Sequence, residues 1–182
     1  MATLNTASPW HSHFKGQARY HVWATHRLLE AVSRVSDGDD RRDVGLFFKS
    51  IHGTLNHLLV AEDLLWYARF AKGASPVLAL DAEIEPHSER LVQALNDVAV
   101  KWSPLIDTWP AERFDGDLDY QTSKGVSQSL PFAATLAHVF NHATHHRGQI
   151  TAALTAMGQP CPELDMVYFL QTEQALKACP IH

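Results

Sequence analysis

Residues 131–157 read PFAATLAHVFNHATHHRGQITAALTAM, and this stretch decides the fold. Pro131 suits a first helical turn, where its missing N–H has no partner to lose. Leu136, Val139, Ile150 and Met157 share one helical flank, and Gly158-Gln159-Pro160 stops the run. The spacing therefore predicts a helix over 131–157 with that flank in a core. His142 and His146 stand four positions apart, so at about 100° per residue their directions differ by about 40°. Thr135 and Ala153 share their azimuth and are small, which leaves room for a cavity. Two imidazoles on successive turns can reach one ion at Zn–N distances of about 2.0–2.1 Å. An inward polar ring without a partner would be costly.

Working outward, helical periods account for most of the chain. Phe14, Ala18, Thr25, Leu28, Val32 and Val35 predict a first helix over 13–35, with His21 inside its stripe. Ser36-Asp37-Gly38-Asp39 reads as a stop, a loop and a cap. A second helix is expected over 40–71, ended by Gly73, with Val44, Phe48, Ile51, Leu55, Leu58 and Leu65 apolar. Beside that row lies another, Phe47, Thr54, His57, Ala61, Leu64 and Ala68. So wide an arc packs against two neighbours, and His57 belongs to it.

Residues 74–86 lack a helical period and read as a crossing loop. A third helix is expected over 87–109, kinked or shortened by Pro104. Phe114 to Leu130 alternates polar and apolar residues around Lys124-Gly125, which suggests a short β-hairpin. The tail adds a short helix near 165–175. The expected fold class is all-α: one domain over 1–182, a four-helix bundle with a long crossing connection and a hairpin between helices three and four.

With 182 residues, 46% hydrophobic and 19% charged, the chain has the composition of one globular domain. A formal net charge of −5 offers no basic footprint for nucleic acid. No apolar run is long enough to span a bilayer, and residues 1–10 lack a signal-peptide pattern, so no membrane partner and a cytoplasmic location are expected. Cys161 and Cys179 cannot form a disulfide framework and read as free thiols in a reducing compartment.

Twelve histidines are spread along the chain. For a lone buried ring, a hydrogen-bonded core histidine is the plain reading; an inward pair facing a third imidazole on another helix points to metal. His57, His142 and His146 are thus the candidate ligands of a site with coordination positions left open, as in catalytic rather than closed structural sites. His138 forms a competing pair with His142; it and His145 project to the other side and read as supporting or surface groups. His52 faces about 140° from His57 and should not share its ion. His21 reads as a core histidine, although it could enter the pocket.

Other chemistries lack their residues. No Glu follows His142 to act as a zincin base. The last bundle helix holds no carboxylate, which removes a di-iron site. No phosphate-cradling glycine loop occurs, and Cys161 in Gly-Gln-Pro-Cys-Pro does not read as a catalytic thiol.

Three stretches resemble the DinB/YfiT-like family of metal-binding four-helix bundles. They are Tyr20-His21-Val22-Trp23-Ala24-Thr25-His26-Arg27-Leu28-Leu29, Gly53 through His57 to Glu62, and Asn141-His142 through His146-Arg147-Gly148-Gln149-Ile150. The resemblance implies an up-down bundle with a long connection, a divalent ion on His57, His142 and His146, and a homodimer. Position 21 departs from it, holding His where Asn is expected.

Characterised relatives in that family include enzymes that use low-molecular-weight thiols, among them thiol-dependent transferases and a maleylpyruvate isomerase, but a shared fold does not fix function. The leading expectation is a metal-dependent transferase or hydrolase taking a low-molecular-weight thiol or small electrophile. Zn or Ni is the expected ion, with Fe, Mn or Co as alternatives, since imidazole suits several metals. Gln149, and His145 or His138, would orient ligands; no general base is identified. The alternatives are a non-catalytic metal-binding, stress-associated protein and an interaction module without an ion.

Overall fold

A computed structural model describes residues 9–178. Its elements are α1 (Pro9–Val32), α2 (Asp37–Arg41), α3 (Ile51–Leu59), a π-helical segment (Val60–Tyr67), α4 (Ala68–Lys72), α5 (Ser88–Ala99), α6 (Trp102–Asp107), a 3-10 turn (Ala111–Asp115), β1 (Asp117–Gln121), β2 (Ser127–Pro131), α7 (Phe132–Ala156) and α8 (Met166–Ala178). The chain is helical apart from one antiparallel hairpin. α1 packs on α7 and α5, and α3 packs on the same two, so the four form a bundle with α1 and α3 diagonally opposed. None of the described helices is long and apolar enough to cross a membrane.

The expected second helix is shorter at its start. Val44, Phe47 and Phe48 lie in a loop instead, and Phe47 is exposed. The Ser50 hydroxyl accepts from Gly53 N–H at 3.0 Å and starts α3 there. Just before it, Lys49 takes a left-handed φ of 69°, which a non-glycine residue adopts at a cost of about 1–3 kcal/mol. The Leu46–Lys49 bridge folds this loop back on the helix. A Cβ on Gly53 would overlap the Phe48 carbonyl oxygen, so glycine is what admits the loop. The local cap and turn outweighed the continuing apolar period.

Further along, the same rod passes through the π segment before Gly73, at φ 68°, ends it. The third bundle helix breaks into α5 and α6 at Val100–Lys101. Pro104 is the cause: its ring clashes with the carbonyl four residues back, that of Val100. The hairpin pairs Leu118 with Leu130 and Tyr120 with Gln128 across the Gly125 turn. α7 begins one residue after Pro131, which closes β2. α8 docks on α1 through Phe169 against Tyr20 and Trp23, with Tyr20 Oη donating to Leu164 O at 2.8 Å.

Two apolar cores fill the bundle. One holds Leu28, Ile51, Leu55, Leu91, Ile150 and Leu154; the other holds Phe14, Trp102, Ile106, Phe132, Leu136 and Phe140. Each such side chain contributes about 1.5–3 kcal/mol when fully buried. Between these cores along α1, the α3 rod and α7 lie the polar residues His21, Glu62, His142, His146 and Arg147.

Candidate metal centre

α3 carries His57 and α7 carries His142 and His146, and packing of the two helices brings the three rings together. His142 Nε2 lies 3.2 Å from His57 Nε2 and 3.1 Å from His146 Nε2. Among the described residues this is the one group of three His, Cys, Asp or Glu whose ligand atoms gather closely enough to hold a metal ion. Tetrahedral ligands at 2.0–2.1 Å from an ion stand about 3.3 Å apart, close to the spacing seen.

Two of the three outer nitrogens are held, while His142 Nδ1 is buried without a hydrogen-bond partner. His57 Nδ1–H donates to Leu80 O at 2.8 Å, and His146 Nδ1–H donates to Gln149 Oε1 at 2.8 Å. Those bonds fix two tautomers, so that the Nε2 lone pairs of His57 and His146 face His142 Nε2. Burial lowers all three imidazoles below their usual range. For His142 the burial, with the neighbouring His146 and His57, brings the value to about 3. At neutral pH two Nε2 lone pairs therefore converge on His142 Nε2, whose one proton can serve only one of them, whereas a cation between the three rings satisfies the set. The donor set fits a divalent ion and leaves a tetrahedral shell one position short.

Phe48 stacks on His57, with centroids 3.8 Å apart and an interplanar angle of 16°, and reaches His146 at 5.8 Å. A groove of about 540 Å³ beside it is lined by Phe47, Phe48, Lys49, Gly53, Leu80 and Asp81. The crossing loop that supplies Leu80 is itself clamped to α3. Asn56 Oδ1 accepts from Ile84 N–H and Glu85 N–H, and His52 lies between Asp40 and Glu83 at 3.2 and 3.1 Å. His52 thus turns away from the three rings, as its azimuth requires.

His21 is a buried core histidine. Arg147 Nη1 donates to its Nδ1 at 3.1 Å, and its Nε2 sits 3.1 Å from Glu62 Oε2, attracted but not aligned as a hydrogen bond. Burial opposes the Glu62 charge, yet His21 and Arg147 hold its carboxyl below the usual range. His138 and His145 are exposed, with rings 5.6 Å from His142 and 5.0 Å from His146. Cys161 is exposed and free; Cys179 falls outside the described residues.

Sequence reasoning brought forward the three imidazoles and Gln149. Glu62, Arg147, Phe48 and the Leu80 carbonyl escaped it. Glu62 and Arg147 stand inside the quoted motifs as charged residues on apolar faces, the one signal that marks them.

Comparison with known proteins agrees with the family resemblance. The model of the DinB family matches residues 11–177. Protein DinB of Bacillus subtilis (strain 168) is 26% identical over 163 residues, covering 87% of this chain and 94% of that protein. No solved structure matches significantly.

Proposed function

Because this chain belongs to the DinB family, we propose that it is a metal-dependent enzyme acting on a low-molecular-weight thiol or a small electrophile, with a divalent ion on His57, His142 and His146. One observation carries the reading: three neutral imidazoles from two helices turn their Nε2 atoms to within 3.1–3.2 Å along two edges of a common site. When bound, Zn²⁺ or Ni²⁺ would supply Lewis acidity and lower the pKa of water or a thiol.

The chain's own residues do the positioning. Leu80 and Gln149 orient His57 and His146 through Nδ1. Phe48 covers one face of His57 and excludes water from it. A cytoplasmic setting and a homodimer belong to the same proposal, the dimer supported by exposed Phe47, Val77 and Leu80.

A non-catalytic role in sensing or storage is the second reading. It is favoured by the polar layer joining α1, the π segment and α7, where an ion would pin the bundle. Three rather than four protein donors favour the enzyme, since closed structural sites take four.

The test is assay of the metal-loaded full chain with glutathione-, bacillithiol- and mycothiol-type thiols and a small electrophile. Metal-dependent consumption of both supports the enzyme; no turnover and no thiol binding at the metal overturn it.

A further inference from the structure

Beyond the three imidazoles, ring contacts between the α3 rod and α7 continue. His138, one turn before His142 and exposed, meets the Trp66 ring edge-on at 5.2 Å. Arg69 Cζ then lies 4.5 Å from the Trp66 ring and 4.7 Å from the Tyr120 ring. Partial burial and the Arg69 charge both lower the His138 imidazole.

Arg69 is only 8% exposed. Its Nε–H donates to Ser75 Oγ at 2.6 Å, and no carboxylate pairs with it among the described residues. Buried arginines are ordinarily paired, because a desolvated charge without a counter-charge is costly. Arg147, equally buried, has Glu62 for this. The two aromatic faces offset part of the cost, about 0.5–2 kcal/mol each, but offer the flat guanidinium fork no oxygen.

The π segment bears on which face of the rod carries this cation. In an unbroken α-helix Arg69, twelve positions after His57, would point about 120° away from it. A π-turn takes up one extra residue. Counted as eleven positions, Arg69 comes to about 20° from His57. On that count the irregularity turns Arg69 toward the face that carries His57, and such bulges recur at functional sites.

We propose that Arg69, with His138 beside it, is a carboxylate-binding subsite for the far end of the small molecule whose reacting end meets His57, His142 and His146. The inference rests on the metal-enzyme reading and adds to it that the substrate is an anion. One guanidinium fork matches one carboxylate in bidentate geometry and supplies the missing counter-charge.

The experiment uses S-methylglutathione, whose blocked thiol takes metal coordination out of the measurement, and its diethyl ester. The Arg69 Nε–Hε resonance of the full, metal-free chain is followed by NMR. A saturable shift is expected with the acid and not with the ester, and Arg69→Lys, checked to be folded by its melting temperature, should bind the acid about tenfold more weakly. A silent Arg69 resonance, an equal response to the ester, or undiminished binding by the variant overturns the subsite. A second arm adds glutathione to the nickel-loaded chain and records thiolate-to-metal charge-transfer absorption. A band with a silent Arg69 removes the subsite alone. No band with a responding Arg69 removes the thiol reading and leaves the subsite standing.

Discussion

His57 and His142 belong to different helices, 85 residues apart in sequence, yet their Nε2 atoms stand 3.2 Å from each other. With Leu80 O holding His57 Nδ1–H, the single proton of a neutral His142 ring could lie between them, but it would leave the Nε2 lone pair of His146 without a partner. A shared cation satisfies all three nitrogens at once. His142→Ala is expected to weaken divalent-ion affinity by at least about a hundredfold, since it removes a ligand and not a supporting partner. Competition with a chromophoric chelator measures this; an unchanged affinity would remove His142 from the site.

Gln149 acts through His146. Partners of this kind are worth about 10–100-fold in metal affinity, so Gln149→Ala should lose that much in the same titration. Gln149→Glu, which keeps the acceptor, should recover most of it.

The metal-free chain should lose stability as the solution is acidified below pH 6.5. Above that value the imidazoles are neutral in both folded and unfolded chains. Below it the unfolded chain takes up protons that the folded one refuses, down to about 3 for His142. Melting temperature should therefore fall across this window, and His142→Asn should flatten part of the fall. Parallel curves for the two proteins would contradict the assignment.

Glu62 is buried beside His21 and Arg147. Removing one member of such a group leaves an uncompensated charge, at about 3–5 kcal/mol. Glu62→Ala should show that loss in denaturant unfolding, while Glu62→Leu combined with Arg147→Met should show a markedly smaller one.

Gly53→Ala puts a methyl group where the Phe48 carbonyl oxygen lies. The loop must shift, and overpacking of this kind costs about 1–3 kcal/mol. Metal affinity should fall as well, because Phe48 moves off His57; retained affinity with lost stability would separate the loop from the centre.

What the sequence made legible follows from which physics is periodic. Leu136, Val139 and Ile150 marked the buried flank of α7, and Gly158 with Pro160 marked its end. The i, i+4 spacing of His142 and His146 survived because α7 is a regular helix throughout. His57 was reached on the same grounds, lying before the π segment. From the start of that segment a fixed 100° step misplaces side chains, so neither Glu62 within it nor Arg69 past it could be put on the His57 face. Phe48 was lost for a different reason. It continues the apolar row of α3, but the Ser50 cap and the left-handed Lys49 turn the chain back first. The Leu80 carbonyl carries no side-chain signal and is fixed only by how Asn56 and His52 tether the crossing loop.

X-ray absorption on untagged full-length protein loaded with one equivalent of Zn²⁺ tests the central claim most directly. The account predicts one ion per chain with three imidazole nitrogens at about 2.0–2.1 Å and an exchangeable light-atom ligand, a signature lost when His57, His142 and His146 are replaced together. Failure to bind stoichiometrically, or the same spectrum from the triple variant, would contradict it.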